Sequence, residues 1–302
     1  LASAALEGRK PGTHGDSLAA QYIRERLAAS GAELMFENGF QSFSLISSAQ
    51  LGENNYFRYN GKEFSVSKDF LPYSFSSREK FSGEVVFGGY GFDINSDSLV
   101  WNDYADIDVK GRWVLLLKGD PEIDKAASRF GNYSEERAKV LAALDHGAAG
   151  IIFTGGPAYS ETDQLQDLFF DKNSSSYPVP VFQITRGVAD TLLASSGTTV
   201  AGLEKKMNAT MQPSGFMLHG VVTAQADVDL KEARTSNVVA LVRGKDPVLR
   251  DEYIVAGAHY DHLGWGGPGS GSRAVDTVAI HPGADDNASG VATIIELAKR
   301  AV

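Results

Sequence analysis

Two short stretches of the sequence bring together side chains that can bind a metal ion. VAGAHYDHLG (255–264) contains His259 and Asp261, and HPGADDNASG (281–290) contains Asp286. Imidazole and carboxylate groups are common zinc ligands, and burying them without a partner is unfavourable. We therefore expect a divalent cation to neutralise these side chains.

Each of the three residues has a defined chemical role in such a site. His259 follows an apolar run, and the ends of strands are where ligands bind in open α/β sheets. Asp261 can accept a hydrogen bond from the second ring nitrogen of His259 and so fix its tautomer. Asp286 precedes an apolar helical pattern, and one carboxylate can hold two cations.

Simpler interpretations remain open for these residues. His259 can be a hydrogen-bonded structural histidine, and Asp285 or Asp286 can be a helix N-cap, a common use of aspartate. His262 can support the ligands or belong to an ordinary loop, and we favour the loop. His281 is expected in a turn. The remaining histidines have no predicted role: His14, His146 and His219.

The composition excludes several kinds of partner. The chain has 302 residues, of which 28 are Lys or Arg and 38 are Asp or Glu, so its formal net charge is −10. This balance argues against a nucleic-acid or anionic-membrane partner, and no apolar run approaches the ~20 residues that span a bilayer. Because the sequence contains no cysteine, any metal site must use His, Asp and Glu.

Apolar periodicity predicts an α/β protein. Residues 222–230 alternate between apolar and polar, which is typical of a half-buried antiparallel strand. The runs 236–242 and 253–258 are almost entirely apolar, which favours central strands buried on both faces. Further short apolar strands are expected between residues 51 and 185. Helices are predicted for three segments: 15–33, 134–147 and 288–302.

The two ends of the sequence indicate a truncated chain. The first residues lack the pattern of a signal peptide, and the last ones, ELAKRAV, stop within an apolar helical pattern. We therefore expect the runs 236–242 and 253–258 to lack part of their cover. The same is expected for three residues of the last helix: Val291, Ile294 and Ile295. Exposed apolar faces favour self-association through this incomplete half, or poor order within it.

The two motifs, GAHYDHLG and IHPGADDNASG, together resemble the paired signature of the zinc-dependent exopeptidases. That family includes bacterial leucyl aminopeptidases, aminopeptidase Y, glutamate carboxypeptidase and the transferrin receptor. The opening 31 residues are similar to the first helix region of these enzymes. The middle of the chain, with GYGF, WNDYADIDVKGRWVLLLKGDPE, HGAAGIIFTG and VPVFQIT, resembles the protease-associated domain inserted in many of them.

The resemblance implies a fold class and a domain organisation. The fold is α/β: a partial three-layer αβα peptidase domain of the phosphorylase/hydrolase-like type, with an inserted β-rich protease-associated domain. The first part of the peptidase domain is expected at 1–50, the inserted domain at 51–219, and the continuation of the peptidase domain, truncated, at 220–302.

The resemblance also implies roles for individual residues. His259 matches the histidine ligand of one zinc ion, Asp286 matches the aspartate that bridges two zinc ions, and Asp261 matches the carboxylate that orients the histidine. Asp285 has no ligand role in that pattern, and relatives carry a cis peptide bond where this chain has Asp286–Asn287. A Glu-Glu pair that supplies the general base, another acidic ligand and a final histidine ligand are expected after Val302.

The function implied is that of a di-zinc aminopeptidase acting on peptide substrates, periplasmic or secreted after removal of a signal peptide. The 302-residue chain alone is expected to be inactive. Two alternatives remain: a non-catalytic binding module like the receptor branch of the family, and a mono-zinc glutaminyl cyclase. Intact His259 and Asp286 argue against the first, and the inserted domain, which the cyclases lack, argues against the second.

Overall fold

The computed structural model describes residues 1–171, 173–267, 270–274 and 277–302. The chain forms two compact units. One contains residues 1–48 and 231–302, and the other contains residues 49–230. The fold is mixed α/β, as expected.

The bounds of the regular elements in the described residues are as follows. The helices are α1 (His14–Ala29), α2 (Glu136–Asp145), α3 (Arg186–Leu193), α4 (Val200–Thr210) and α5 (Ser289–Ala301). The strands are β1 (Glu33–Leu34), β2 (Phe40–Leu51), β3 (Tyr56–Tyr59), β4 (Lys62–Phe64), β5 (Phe70–Pro72), β6 (Lys80–Gly88), β7 (Asp93–Ser96), β8 (Leu99–Asn102), β9 (Trp113–Leu117), β10 (Gly150–Thr154), β11 (Val181–Ile184), β12 (Gly215–Gln225), β13 (Val228–Val238) and β14 (Ala240–Leu241). Short helical turns cover Ala4–Arg9, Ala194–Ser196 and Ala284–Ala288.

The core of the first unit lies between its two helices. Ile23 and Leu27 of α1 pack with Val291 and Ile295 of α5, and all four side chains are buried. The three predicted helices are confirmed as α1, α2 and α5. The expectation that Val291 and Ile295 lack cover is wrong, because α1 covers them. The N-cap of α1 is Thr13, whose side chain accepts a hydrogen bond from the peptide N–H of Asp16.

The predicted central strand at 253–258 is absent from the structure. These residues are in irregular backbone, and Tyr253, Ile254 and Val255 are 77%, 99% and 92% exposed. An apolar run becomes a strand only when a neighbouring strand can pair with it, and none of the described strands does so here. The other run, 236–242, is divided between β13 and β14. Self-association through this half stays a prediction.

The second unit is built on an eight-stranded mixed sheet in the order β4-β3-β12-β6-β9-β10-β11-β5. The four strands β6, β9, β10 and β11 are parallel to their neighbours within this group. Alternate residues of these strands point to opposite faces, so one face carries Leu115 and Ile152 and the other carries Val114 and Ile151. Side chains of α3 and α4 pack on the first face, and side chains of α2 pack on the second.

The expected domain boundaries at 50/51 and 219/220 stay predictions of domain organisation. The second of them falls within β12, which runs to Gln225 as an antiparallel partner of β3 and β6. The alternation predicted for 222–230 continues past that strand, because Ala226 and Val228 are buried like Val222 and Ala224, and only Leu230 is exposed. The single predicted strand is divided between β12 and β13. Among the helices of the described residues, none combines the length and the apolar character needed to cross a bilayer.

Candidate metal centre

Two loops of the first unit carry the predicted site residues. The first loop contains His259 and Asp261, the second contains Asp286, and backbone hydrogen bonds hold the two side by side. The N–H of His281 donates to the carbonyl of Gly264 at 2.9 Å, and the N–H of Gly266 donates to the carbonyl of Ala279 at 2.7 Å. The amino-terminal segment lies along the first loop, because the N–H of His262 donates to the carbonyl of Arg9 at 3.0 Å. Residues far apart in sequence therefore form one local framework.

A buried arginine holds the two loops together. The side chain of Arg9 is fully buried, and its guanidinium donates only to carbonyl oxygens. These oxygens belong to Tyr260 at 2.6 Å, to Leu1 and Pro282 at 2.7 Å, and to Gly283 at 2.8 Å. Burial lowers the pKa of Arg9, and the nearby carboxylates of Asp261 and Asp286 oppose that shift.

Sequence reasoning missed Arg9. It lies within EGRKPG, in the opening stretch for which only a general similarity is evident. A single arginine between glycine and lysine has the same pattern as an exposed loop residue, and arginine is rarely fully buried. Its role depends on contacts with residues far away in the sequence, such as Tyr260, which is 251 positions from Arg9.

The second loop turns sharply before α5. Gly283 has a positive φ of +54°, and a Cβ at this position would lie 2.5 Å from the carbonyl oxygen of Asp286 and 2.6 Å from both Arg9 Nη2 and His262 Cδ2. Only glycine fits these contacts. The peptide bond between Asp286 and Asn287 is cis, as the resemblance implies.

The structure excludes the N-cap interpretation of the two aspartates. The N-cap residue of α5 is Ala288, which has no side chain able to cap the helix. The first-turn N–H of Gly290 instead donates to Asn287 Oδ1 at 3.2 Å. The side chain of Asp286 is 70% exposed and is turned toward the first loop, where it meets His259.

The predicted site residues meet at this point. His259 Nε2 lies 3.1 Å from Asp286 Oδ1. On the other side of the ring, His259 Nδ1 lies 3.2 Å from the carbonyl oxygen of Asp261 and 3.3 Å from its Oδ1. Two acceptors at Nδ1 favour the tautomer with the proton on that atom, which leaves the lone pair of Nε2 facing Asp286.

The two facing atoms suit part of a zinc site. With zinc–ligand bonds of ~2.0–2.2 Å and tetrahedral angles, two ligand atoms of one ion lie about 3.3–3.6 Å apart. The separation of 3.1 Å between His259 Nε2 and Asp286 Oδ1 is slightly shorter than that range. In the part of the chain that the structure describes, no group of three or more His, Asp or Glu side chains is arranged to hold a metal ion. The pair is therefore a partial donor set.

The site is open to solvent. The exposed fractions of the side chains of His259, Asp261 and Asp286 are 53%, 49% and 70%. The premise that these groups are buried is therefore wrong, because water can solvate them, and binding of a divalent cation stays a prediction. The donor types and their separation, and not burial, favour metal binding here.

His262 lies closer to the site than the sequence indicated. It is in a loop, as expected, but its side chain is only 14% exposed and its Nδ1 atom is 3.7 Å from Asp286 Oδ2. Its ring is 6.2 Å from that of His281, and burial lowers the pKa of His262. No sequence signal separates His262 from an ordinary loop histidine, because its position depends on the folding of the second loop.

The chain is similar to one family model and to several solved structures. Residues 237–302 match the family model described as Peptidase family M28. Among solved structures, an aminopeptidase from Aneurinibacillus sp. strain AM-1 is 20% identical with a TM-score of 0.47, and the match covers 98% of this chain and 56% of that chain. A zinc aminopeptidase from Bacillus subtilis is 16% identical with a TM-score of 0.38, covering 98% and 54%. Among curated protein sequences, none matches. The chain spans about half the length of these two structures.

Proposed function

We propose that the protein is a metal-dependent aminopeptidase whose complete site holds two zinc ions, because residues 237–302 match the model of peptidase family M28. The substrates are peptides with a free amino terminus. The observation that supports this proposal is the approach of His259 Nε2 to Asp286 Oδ1 at 3.1 Å, which pairs an imidazole and a carboxylate at a spacing suited to one ion.

The residues of this chain would have different roles in the metal site. His259 would hold a zinc ion through Nε2. Its Nδ1–H donates to Asp261, which keeps the ring oriented and the Nε2 lone pair available. Asp286 would hold metal through its carboxylate, a group that can bind two cations at once. Arg9 fixes the two loops that carry these groups, through Tyr260 and Gly283.

When bound, zinc supplies Lewis-acid activation of water and of the peptide carbonyl. The family resemblance assigns the general base and the remaining ligands to residues outside 1–302. On this proposal the 302-residue chain alone hydrolyses no peptide. Exposure of His259 and Asp286 leaves room for a substrate to approach the donor atoms.

The test uses the full-length protein, in the wild type and as His259→Ala. Hydrolysis of a peptide panel with free and with acetylated amino termini is measured, together with the bound metal by elemental analysis. We expect two zinc ions per chain, cleavage only of peptides with a free amino terminus, and loss of both activity and metal in His259→Ala. The exposed His219, in the other unit, gives the matched control His219→Ala, which should behave as the wild type.

The outcomes separate the alternatives. Normal turnover by His259→Ala refutes the ligand assignment. One zinc ion per chain without peptidase activity favours a glutaminyl cyclase, and no zinc favours a receptor-like binding module. Activity of the 302-residue chain by itself would show that the resemblance places the base and the remaining ligands wrongly.

The proposed location is outside the cytoplasm, in the periplasm or the medium. Its support is the resemblance of the middle of the chain to the protease-associated domain, since relatives with that domain are commonly exported. Fractionation of the producing cells, with a cytoplasmic marker enzyme as the reference, tests this location directly. Recovery with the cytoplasmic marker would overturn it.

A further inference from the structure

The second unit contains a cavity with a buried positive charge at its wall. The cavity has a volume of about 280 Å³. Lys118, which follows β9, is 5% exposed, and its ammonium donates to Gln183 Oε1 at 3.0 Å and to Gln166 Oε1 at 3.3 Å. Both acceptors are neutral amides. The rest of the lining is mixed. Tyr159, Leu165 and Ile184 supply its apolar part, and its polar part includes Ser160, Thr162, Asp163 and Gln164.

The ammonium of Lys118 has no direct carboxylate contact among the described residues. An ammonium group has three N–H donors, and two of them are used by the glutamines. Among the described residues, no carboxylate forms an ion pair with Lys118. The rings of Tyr73 and Tyr159 lie 5.6 and 5.9 Å from Nζ and offer only weak cation–π contacts. Because no carboxylate contacts this buried ammonium, an anion that accepts from its third N–H would be stabilised there.

The one acidic residue in the lining is held elsewhere. Asp163 accepts hydrogen bonds from the backbone N–H groups of Arg186 and Gly187, at 2.5 and 3.0 Å, at the start of α3. Its charge is therefore used at that helix. Glu136 of α2 raises the pKa of Lys118 through space, but burial has the larger effect and lowers that pKa to about 8. The amine is still protonated at neutral pH.

The shape and lining indicate the kind of anion. A volume of about 280 Å³ lies just below the ~300–1,000 Å³ of pockets for drug-sized ligands, so a molecule about the size of one amino-acid residue fits. Leu165, Ile184 and the Tyr159 ring offer apolar surface beside the ammonium. We propose that this cavity binds the carboxylate of a small apolar acid, either a free acyl amino acid or the last residue of a peptide, with Lys118 as the anion-binding group.

The test is calorimetric titration of the 302-residue chain with two probes, N-acetyl-L-leucine and the peptide acetyl-Gly-Gly-Leu. The methyl ester of N-acetyl-L-leucine is the neutral reference. We expect at least one acid to bind with a dissociation constant about tenfold or more below that of the ester, because a charge-assisted hydrogen bond is lost in the ester. Binding of the first probe alone identifies a free acid, and binding of the second identifies a peptide terminus.

Two variants locate the site. Lys118→Met removes the charge and keeps the apolar stem, and we expect it to weaken binding about tenfold or more. Gln166→Glu, at an exposed residue, places a carboxylate beside Lys118 Nζ and should weaken binding as much without disturbing the fold. Lys206→Met, on the exposed side of α4, is the matched control and should bind as the wild type.

Three results would overturn the proposal. They are equal affinity for the acid and the ester, no binding of either acid at tens of millimolar, and wild-type affinity in Gln166→Glu. Because the cavity lies in the second unit, none of these results depends on peptidase activity, and failure of one proposal leaves the other unaffected.

Discussion

His259 Nε2 and Asp286 Oδ1 lie 3.1 Å apart, although 26 residues separate them in the sequence. The approach depends on the pairing of two loops and on a guanidinium that bonds to carbonyls in both. The donor pair is therefore a property of the folded first unit, and changes that loosen the loops should also weaken metal binding.

Asp261 should control metal affinity without being a ligand. Its carboxylate lies 3.3 Å from His259 Nδ1, where it holds the tautomer that frees Nε2. We expect Asp261→Asn to weaken zinc binding by the full-length protein about 10–100-fold, measured by competition with a chelating dye. Asp285→Asn is the control, because the exposed Asp285 has no predicted ligand role. Equal losses in both variants would refute the positioning role of Asp261.

Arg9 should be necessary for the first unit to fold stably. Arg9→Met keeps the apolar stem but removes donors to four carbonyl oxygens. We expect a loss of at least about 2 kcal/mol in the free energy of unfolding of this unit. Hydrogen exchange of the α1 amides measures this free energy, because those amides lie in the first unit and report its stability alone. Arg26→Met, at an exposed position of the same helix, should change the value by less than ~0.5 kcal/mol.

The helices and the two motifs could be predicted because their signals are local. The spacing of Ile23 and Leu27, and of Val291 and Ile295, gives the buried faces of α1 and α5. The pairing of His259 with Asp286 was also predictable, through the motif resemblance. Its role as a zinc site stays a prediction.

Other features depend on tertiary contacts that no short window of sequence contains. Residues 253–258 have the composition of a buried strand, and yet the first five of them are exposed, because strand formation needs a partner. Arg9 is buried only because the carbonyls of Tyr260 and Gly283 surround it. The same limit applies to Lys118, whose position in a cavity depends on Gln183 of β11, 65 residues away.

Gly283 should tolerate no side chain. A Cβ would lie 2.5 Å from the carbonyl oxygen of Asp286, and the φ of +54° is unfavourable for other residues. We expect Gly283→Ala to lower the free energy of unfolding of the first unit by ~1–3 kcal/mol. Hydrogen exchange of the α1 amides measures this change. Gly257→Ala is the matched control in the same unit, because a Cβ there would meet no atom within 4 Å. Equal stability of the two variants would contradict the close contacts at Gly283.

The stability of the second unit should depend on the ionisation of Asp103. This residue is 3% exposed, its Oδ2 accepts from the N–H of Phe92 at 3.0 Å, and burial raises its pKa from 3.8 to about 7. Because the folded state binds the proton more tightly than the unfolded state, the stabilising contribution is complete below about pH 4. It is lost as the pH rises through about 7, by at most ~4 kcal/mol.

Asp103→Asn tests this dependence, because an amide keeps the acceptor for Phe92 and does not ionise. We expect the free energy of unfolding of the wild type to fall relative to the variant between pH 4 and 7, and the variant to be the more stable at pH 8. Hydrogen exchange of the β9 and β10 amides, corrected for the intrinsic effect of pH, measures the difference. Asp97→Asn, at an exposed position, is the control. A constant difference between wild type and Asp103→Asn over this range would show that the Asp103 carboxyl does not titrate there.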